Sequence, residues 1–283
     1  MSTDALLQPY RLKHLVFRNR LMSTAHEPAY TEDGMPKERY RLYHAEKAKG
    51  GIALTMIGGS SVVAPDSPQA FGNILLYKDE VVRWLKELAD DVHVHGAAVM
   101  IQVTHLGRRT SWSKADWLPI VAPSNVREAA HRAFPKIMED WDIARVIEAY
   151  ADSAERVKAA GLDGLELECY GHLIDQFWSP ATNKREDAYG GSLDNRMRFG
   201  LEVLSAVRRR VGQDLIVAWS ATRTGTAASH ARKASRSRDA SPPLASSTSS
   251  MSSAAISTPK RRSRMSSPAW ARAPRPTSTF PAR

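Results

Sequence analysis

The chain is poor in cysteine and has no long hydrophobic run. Its 283 residues contain one cysteine, Cys169, so the chain can form no internal disulfide, Cys-rich zinc site or iron–sulfur cluster. No stretch approaches the roughly 18 uninterrupted apolar residues of a membrane-spanning helix, and the N-terminal segment lacks the apolar core of a secretory signal. We therefore expect a cytoplasmic protein that is neither secreted nor inserted in a membrane.

Acidic residues are nearly absent from the C-terminal part. From Ser220 onward the chain has 12 Lys and Arg and a single acid, Asp239. The first 219 residues hold 28 basic and 29 acidic residues, which gives no electrostatic reason to expect specific nucleic-acid binding. Residues 220–283 also contain one Leu, one Ile and no Val, too little apolar surface to offset the entropy of ordering. The composition predicts a globular part, 1–219, and a disordered basic tail, 220–283.

The globular part alternates between apolar strands and amphipathic helices. The apolar runs predict strands over 20–25, 52–59, 97–105, 164–169 and 215–219. Helical periodicity predicts helices over 36–49, 79–95, 141–160 and 193–211, and leaves a long loop over 106–140. This alternation implies right-handed βαβ crossovers and a parallel sheet. Either a doubly wound sheet or a (β/α)8 barrel would fit.

Two features favour the barrel. No GxGxxG follows the first strand, which weakens the case for a dinucleotide-binding fold. Polar residues follow the strand ends, at 24–27, 58–61, 104–109 and 170–172, where a barrel keeps its active site. We therefore predict an α/β fold of the (β/α)8 TIM-barrel type, of which this chain holds about strands one to five.

Three motifs resemble the old yellow enzyme family of flavin barrels. They are "HLVFRNRL", "IQVTHLGRR" and "GHLIDQFWSPATNKREDAYGGSLDNRMRF". The match is closest to the branch of trimethylamine and dimethylamine dehydrogenases, dienoyl-CoA reductases and N-methyl amino acid demethylases, and it covers residues 5 to about 219. The resemblance implies FMN as cofactor, hydride transfer at its N5, NAD(P)H as a possible electron donor and a small-molecule substrate. Glu27 falls near the cysteine that attaches the flavin in trimethylamine dehydrogenase, so we expect non-covalent FMN.

The last motif also contains a predicted structural clamp. Asn183, Arg185 and Asp187 would tie the loop down, and Gly190–Gly191 would let it turn into the helix that follows.

The resemblance also implies cofactor-binding residues. Gln102 resembles the glutamine that bonds the flavin pyrimidine edge, because an amide both donates and accepts. Ser23, Thr24 and Ala25 occupy the strand end that lies against the flavin, and Gly58 would allow its close approach. Each has a structural alternative: an edge-strand amide for Gln102, an ordinary strand terminus for residues 23–25, and a strand-ending glycine for Gly58.

Tyr170 and His172 are the candidate catalytic residues. They differ from the paired His or His/Asn of typical ene-reductases and look like the Tyr and His that face the amine in methylamine dehydrogenases. Such groups can position a nitrogen lone pair and accept a proton as hydride leaves. Alternatively, Tyr170 packs and His172 is a core residue. His26 and His105 are candidate substrate-binding residues, or else a loop cap and a structural histidine.

Two further hypotheses are less favoured. Cys169 lies beside the candidate site, but no base flanks it, and a small buried cysteine is the commoner case. Glu166 and Glu168 share one strand face near His172, so a metal site is geometrically possible. Paired carboxylates in such places more often bond backbone or arginine partners, and we predict no metal.

The chain departs from the family after the fifth strand. An arginine that contacts the flavin is expected near Ser220 and is absent, as are strands six to eight with the phosphate-binding loops. The resemblance therefore implies an FMN-dependent oxidoreductase that catalyses the oxidative demethylation of an N-methylated amine or amino acid. The alternatives are an ene-reductase acting on an α,β-unsaturated carbonyl, an inactive half-barrel, and a non-specific binder of acidic surfaces through the tail.

The Ala, Arg, Ser and Pro bias of residues 220–283 is typical of a GC-rich coding region read out of frame. We therefore expect resequencing of the gene to show a one- or two-base shift that restores a strand with an arginine near position 220. If no shifted frame yields family-like sequence, the frameshift hypothesis is wrong.

Overall fold

A computed structural model describes residues 4–111, 117–130 and 132–220. Apart from Ser220, the tail predicted from composition lies outside these residues. After a single 3-10 turn, Ala5–Leu7, the elements are β1 (Tyr10–Leu12), β2 (Leu15–Phe17), β3 (Met22–His26), α1 (Glu38–Lys49), β4 (Leu54–Val62), α2 (Val81–Val94), β5 (Ala98–Thr104), β6 (Val121–Ala122), β7 (Lys136–Ile137), α3 (Asp140–Ala159), β8 (Gly164–Glu168), α4 (Leu173–Trp178), α5 (Leu193–Val211) and β9 (Ile216–Ser220).

A five-stranded parallel sheet forms the centre of the described part. Its order is β3-β4-β5-β8-β9, so each strand lies beside the next of these strands along the chain. A doubly wound sheet reverses its strand order at a switch point, whereas a (β/α)8 barrel keeps the order of the chain. The observed order is that of a barrel over its first five strands.

Apolar side chains fill both faces of the sheet, because successive residues of a strand point to opposite sides. Ile57 and Ile101 point outward into a large core shared with the helices. Met56 and Met100 point inward and belong to a smaller core near the amino ends of the strands. The β1–β2 hairpin covers this smaller core with Phe17. We call the side that carries Met56 and Met100 the inner face.

The structure contains short elements where the sequence predicted loops. The predicted loop 106–140 includes the two-residue strands β6 and β7, which pair with each other in parallel. The connection after β8 includes α4, of which Leu173, Ile174 and Phe177 are fully buried. These segments are too short to show a hydrophobic period, so tertiary packing alone determines them.

Helix α5 begins and ends where the sequence predicted. The Ser192 side chain accepts a hydrogen bond from the Asn195 backbone N–H and caps the first turn. Gly212 follows the last residue with φ 73°, a conformation that glycine adopts without steric cost. The capping serine and the glycine therefore determine where this helix begins and ends.

The loop before α5 is held by the three side chains that the motif suggested. Asn183 Nδ2 donates to the carbonyl oxygens of Phe177 and Tyr189, both at 2.8 Å. Arg185 Nη1 donates to the Met138 oxygen at 2.6 Å. Arg185 Nε also donates to Asp187 Oδ2 at 2.9 Å, and Asp187 Oδ1 accepts from Tyr189 N. These bonds tie the loop to the segment before α3, so the predicted clamp is confirmed.

Gly190 and Gly191 provide a matched test of this clamp. A Cβ at Gly190 would lie 1.9 Å from the Arg185 carbonyl oxygen, whereas a Cβ at Gly191 (φ 70°) would meet nothing within 4 Å. We expect Gly190→Ala to lower the free energy of unfolding by about 2–4 kcal/mol and Gly191→Ala by about 1–2 kcal/mol, from backbone strain alone. Urea unfolding of both variants measures this, and equal losses would contradict the close approach at Gly190.

Candidate functional site

The carboxyl ends of β3, β4, β5, β8 and β9 lie along one edge of the sheet, because these strands are parallel. We call this the carboxyl edge. Near it the inner face changes from apolar to polar: Gln102 lies opposite Glu166 in the register of β5 and β8. The Gln102 Nε2 donates to Glu166 Oε1 at 2.9 Å. The amide is therefore turned to the inner face.

His172 is buried at the carboxyl edge, as the residue that precedes α4. Its Nδ1 lies 3.0 Å from Thr104 Oγ1, and that hydroxyl donates to the Glu168 carbonyl oxygen at 3.1 Å. The Thr104 hydrogen is thus used, so His172 Nδ1–H is the donor and Nε2 carries the ring's lone pair. Burial, and then the charge of Arg109, lowers the pKa of His172 to about 3. The imidazole is therefore neutral at physiological pH.

Tyr170 lies at the same edge and is 53% exposed. The Tyr170 side chain is therefore not part of the buried core, whereas His172 is buried and hydrogen-bonded. The Arg109 guanidinium lies 5.7 Å from the centre of the Tyr170 ring, and its Nη1 donates to the Tyr170 carbonyl oxygen at 3.4 Å. Gln102 lies on β5 together with Thr104, which contacts His172, and Tyr170 precedes His172 by two residues in the turn after β8.

His105 is fully buried on the other side of this region. Its Nδ1 accepts a hydrogen bond from Gly107 N, so Nε2–H donates to Asp66 Oδ1 at 3.2 Å. Asp66 is also bonded by Arg145, with Nη2–Oδ2 at 2.5 Å. Burial opposes ionisation of Asp66, but His105 and Arg145 outweigh it and hold the pKa of that carboxyl well below its usual range. Both His105 nitrogens are engaged, and they fix the loop after β4 to the end of β5.

The end of β3 brings together the other predicted residues. Thr24 and His26 are exposed, and Ala25 packs against the inner core. Ser23 Oγ accepts a hydrogen bond from Lys47 Nζ of α1 at 2.9 Å, so this hydroxyl is turned to the outer side. A Cβ at Gly58 would lie 2.1 Å from the His26 backbone nitrogen. The close approach of β3, at the point where its register with β4 shifts, is therefore enough to explain why position 58 is a glycine.

Glu27 is a residue that the sequence reasoning did not select. Its Oε1 accepts from Ala29 N at 2.7 Å, and its buried Oε2 has no hydrogen-bond partner among the described residues. Burial raises the pKa of Glu27 to about 8. Gly59 (φ 83°) makes room for it, since a Cβ there would lie 1.8 Å from the Glu27 Cβ. Nothing in the local sequence marks a buried carboxyl.

Cys169 and the acidic pair have structural partners. Cys169 is fully buried, with Sγ 3.4 Å from the Leu167 carbonyl oxygen, and burial raises the pKa of its thiol. A buried thiol with a raised pKa is not a reactive nucleophile. Within residues 4–220, apart from the gaps given above, no three His, Cys, Asp or Glu side chains are placed to hold a metal ion.

Comparison with known proteins identifies the family. The model of the NADH:flavin oxidoreductase / NADH oxidase family matches residues 5–253. The chain belongs to this family. It is 64% identical over 217 residues to a probable N-methylproline demethylase of Rhizobium meliloti (strain 1021), covering 77% of this chain and 32% of that protein. It is 53% identical over 216 residues to a multifunctional alkene reductase/demethylase of Caballeronia cordobensis, covering 76% and 32%. The chain thus spans about a third of the length of these relatives.

Solved structures of the family have the same fold. The Old Yellow Enzyme from Pichia sp. AKU4542 is 27% identical with a TM-score of 0.72, covering 77% of this chain and 59% of that one. Morphinone reductase in complex with tetrahydroNAD is 25% identical with a TM-score of 0.71, covering 77% and 64%. The prediction of an incomplete TM barrel is confirmed. In the described part of this chain, no helix has both the length and the apolar character needed to cross a bilayer.

The buried carboxyl of Glu27 predicts a pH dependence. The pKa of Glu27 in the folded state is about 8, against an ordinary value of 4.5. Between pH 4.5 and pH 8 the folded protein therefore keeps a proton on Glu27 that the unfolded chain releases. The stabilising effect is complete below pH 4.5 and is lost as the pH rises through 8. After allowance for solvent screening, we expect Glu27→Gln to gain about 1–2 kcal/mol relative to the original chain between pH 5 and 8.

The matched control is Glu87→Gln, an exposed carboxylate on α2. Urea unfolding at several pH values measures the difference for each variant. A difference that is the same at pH 5 and pH 8 would show that Glu27 titrates normally in the folded chain.

Proposed function

We propose that this chain is the FMN-binding part of an oxidoreductase that oxidatively demethylates an N-methylated amine or amino acid. The observation that carries the proposal is the neutral His172, held by Thr104 beside the inner face that carries Gln102. A neutral imidazole has a ring lone pair that can accept a hydrogen bond from a substrate N–H, which an imidazolium lacks. The demethylases among the relatives, at 64% and 53% identity, support the same reaction.

The residues present at the carboxyl edge fit a flavin. The inner face there has the Gln102 amide, whose oxygen accepts no bond from the described residues, so it can bond a donor of the flavin pyrimidine edge. Thr24 and Ala25 at the end of β3 would lie against the ring system. Bound FMN would supply the acceptor for a hydride, and no residue of β3 offers a thiol for covalent attachment.

Two side chains of this chain would act on the substrate. His172 uses Nδ1–H to hold its ring against Thr104 and keeps Nε2 as a hydrogen-bond acceptor that can orient the substrate. The exposed Tyr170 hydroxyl, at the same edge, can orient the substrate nitrogen by a hydrogen bond. His26, exposed at the end of β3, would complete the substrate-binding side of the site. His105 would act through the loops that it holds together.

A second candidate function is reduction of an α,β-unsaturated carbonyl with NAD(P)H. The relative named as an alkene reductase/demethylase favours it, at 53% identity. The exposed Tyr170 hydroxyl could donate a hydrogen bond to a carbonyl oxygen. The two functions differ in the direction of hydride transfer, so the donor that reduces the flavin separates them.

Flavin content tests the cofactor part of the proposal. We expect the purified 283-residue chain to be yellow, with the flavin absorbance maximum at about 450 nm, and to release FMN on denaturation. A colourless chain that does not bind added FMN would contradict the proposal and would favour an inactive half-barrel.

The electron donor tests the reaction. Under anaerobic conditions we expect dimethylglycine or N-methylproline to bleach the flavin, and His172→Asn to slow the bleaching by about 10²–10⁴-fold without loss of flavin. The matched control is His95→Asn, which alters a partly exposed histidine that follows α2. Bleaching by NADPH alone, followed by reoxidation with an enone, would instead establish the ene-reductase function.

A further inference from the structure

Gly171 lies between Tyr170 and His172, and both of its polar backbone groups are bound by side chains of α4. Asp175 Oδ2 accepts a hydrogen bond from Gly171 N at 3.0 Å. Gln176 Nε2 donates to the Gly171 carbonyl oxygen, also at 3.0 Å. The turn that carries the two candidate catalytic residues is therefore held at its central residue by the helix that follows it.

The Gln176 amide also binds the loop after β5. Its Nε2 donates a second hydrogen bond to the Leu106 carbonyl oxygen at 3.0 Å, and its Oε1 accepts from Arg108 N at 3.1 Å. The residue is 2% exposed, so these bonds are shielded from water. A single side chain therefore uses both donors and its acceptor oxygen to join the turn after β8 to the loop after β5.

Gly107 makes room for this amide. Its φ is 58°, and a Cβ there would lie 2.3 Å from Gln176 Oε1. Gly107 belongs to the motif "IQVTHLGRR", and Gln176 belongs to the motif that begins "GHLIDQF". Two of the motifs that carry the family resemblance therefore meet at this contact, although the sequence analysis assigned a role to neither residue.

Tyr170 depends on this support because its side chain is exposed. Close packing fixes the direction of a buried ring, whereas the direction of an exposed ring depends more on the backbone from which it projects. Arg109 adds one further contact to this backbone, since its Nη1 donates to the Tyr170 carbonyl oxygen at 3.4 Å. The geometry of the turn therefore decides where the Tyr170 hydroxyl lies.

We propose that Gln176 and Asp175 are positioning residues of the site, which direct the Tyr170 hydroxyl toward the substrate by fixing Gly171. Gln176 acts through Tyr170 rather than on the substrate, because its side chain is buried. This inference rests on the proposed demethylation, in which Tyr170 orients the substrate nitrogen, and it names the residues that set this orientation.

The first test does not depend on activity. The full chain is labelled with fluorotyrosine, and the fluorine NMR resonance of Tyr170 is identified by its loss in Tyr170→Phe. We expect Gln176→Met to shift or split this resonance, because methionine has a similar length and neither amide donor. The matched control is Gln213→Met, an exposed amide after α5, which should leave the resonance unchanged. The same Tyr170 resonance in Gln176→Met and in the original chain would refute the role of Gln176.

Asp175 offers a conservative pair of variants, which also serves if Gln176→Met does not fold. Asparagine keeps an oxygen that accepts from Gly171 N, whereas leucine has a similar size and no acceptor. We expect Asp175→Leu to move the Tyr170 resonance and Asp175→Asn to leave it near its original position. Equal changes in the two variants would refute the role of the Asp175 oxygen. The resonances of the other tyrosines show whether each variant has kept its fold.

A double-mutant cycle tests whether Gln176 acts through Tyr170. Anaerobic bleaching of the FMN-loaded chain by N-methylproline gives an apparent Kd for each variant. We expect Gln176→Met to weaken binding about 3–10-fold in the original chain, the range for one lost hydrogen bond. In a Tyr170→Phe chain the same change should have an effect of less than about twofold, because the hydroxyl that Gln176 positions is gone. Equal factors in both chains would refute the proposed action through Tyr170.

These outcomes separate the inference from the proposed function. If N-methylproline bleaches the flavin of the original chain but the Tyr170 resonance does not respond, or the cycle gives equal factors, the positioning role fails and the demethylation stands. If N-methylproline does not bleach the flavin of the original chain, the proposed demethylation fails, and this inference fails with it.

Discussion

The contact between Thr104 and His172 is the interaction on which the site depends. Thr104 ends β5, and His172 follows the turn after β8, so a single hydroxyl joins two strand ends and the start of α4. The same hydroxyl donates to the Glu168 carbonyl oxygen, and this fixes which imidazole nitrogen carries the proton. Without this contact the ring could turn, and neither its lone pair nor its distance from Glu168 would be defined.

The inner face is divided between stability and chemistry. Near the amino ends of the strands, methionine side chains and Phe17 of the hairpin form an apolar core. Toward the carboxyl edge, Gln102 and Glu166 satisfy each other by a hydrogen bond, which offsets the cost of placing polar groups inside the sheet. The apolar half holds the strands in register, and the register brings the polar groups together. Folding and function therefore use different ends of the same strands.

Much of the fold could be predicted from the sequence, because the strong signals are local. Apolar runs marked β4, β5 and β8, and a capping serine and a glycine marked the ends of α5. The clamp of Asn183, Arg185 and Asp187 was also visible, because its members lie within five residues of one another. Short elements such as α4 were missed, since six residues contain too little of a helical period.

The sequence by itself determined the alternation of strands and helices, the family and the candidates Gln102, Tyr170 and His172. Only the tertiary structure decided what those candidates do: that His172 is neutral, that Tyr170 is exposed, and that His105 is fully engaged by Asp66. It also placed Glu168 and Arg109 beside them. Protonation and exposure depend on neighbours about 40 to 70 residues away in the chain, and a local pattern contains no record of such pairings.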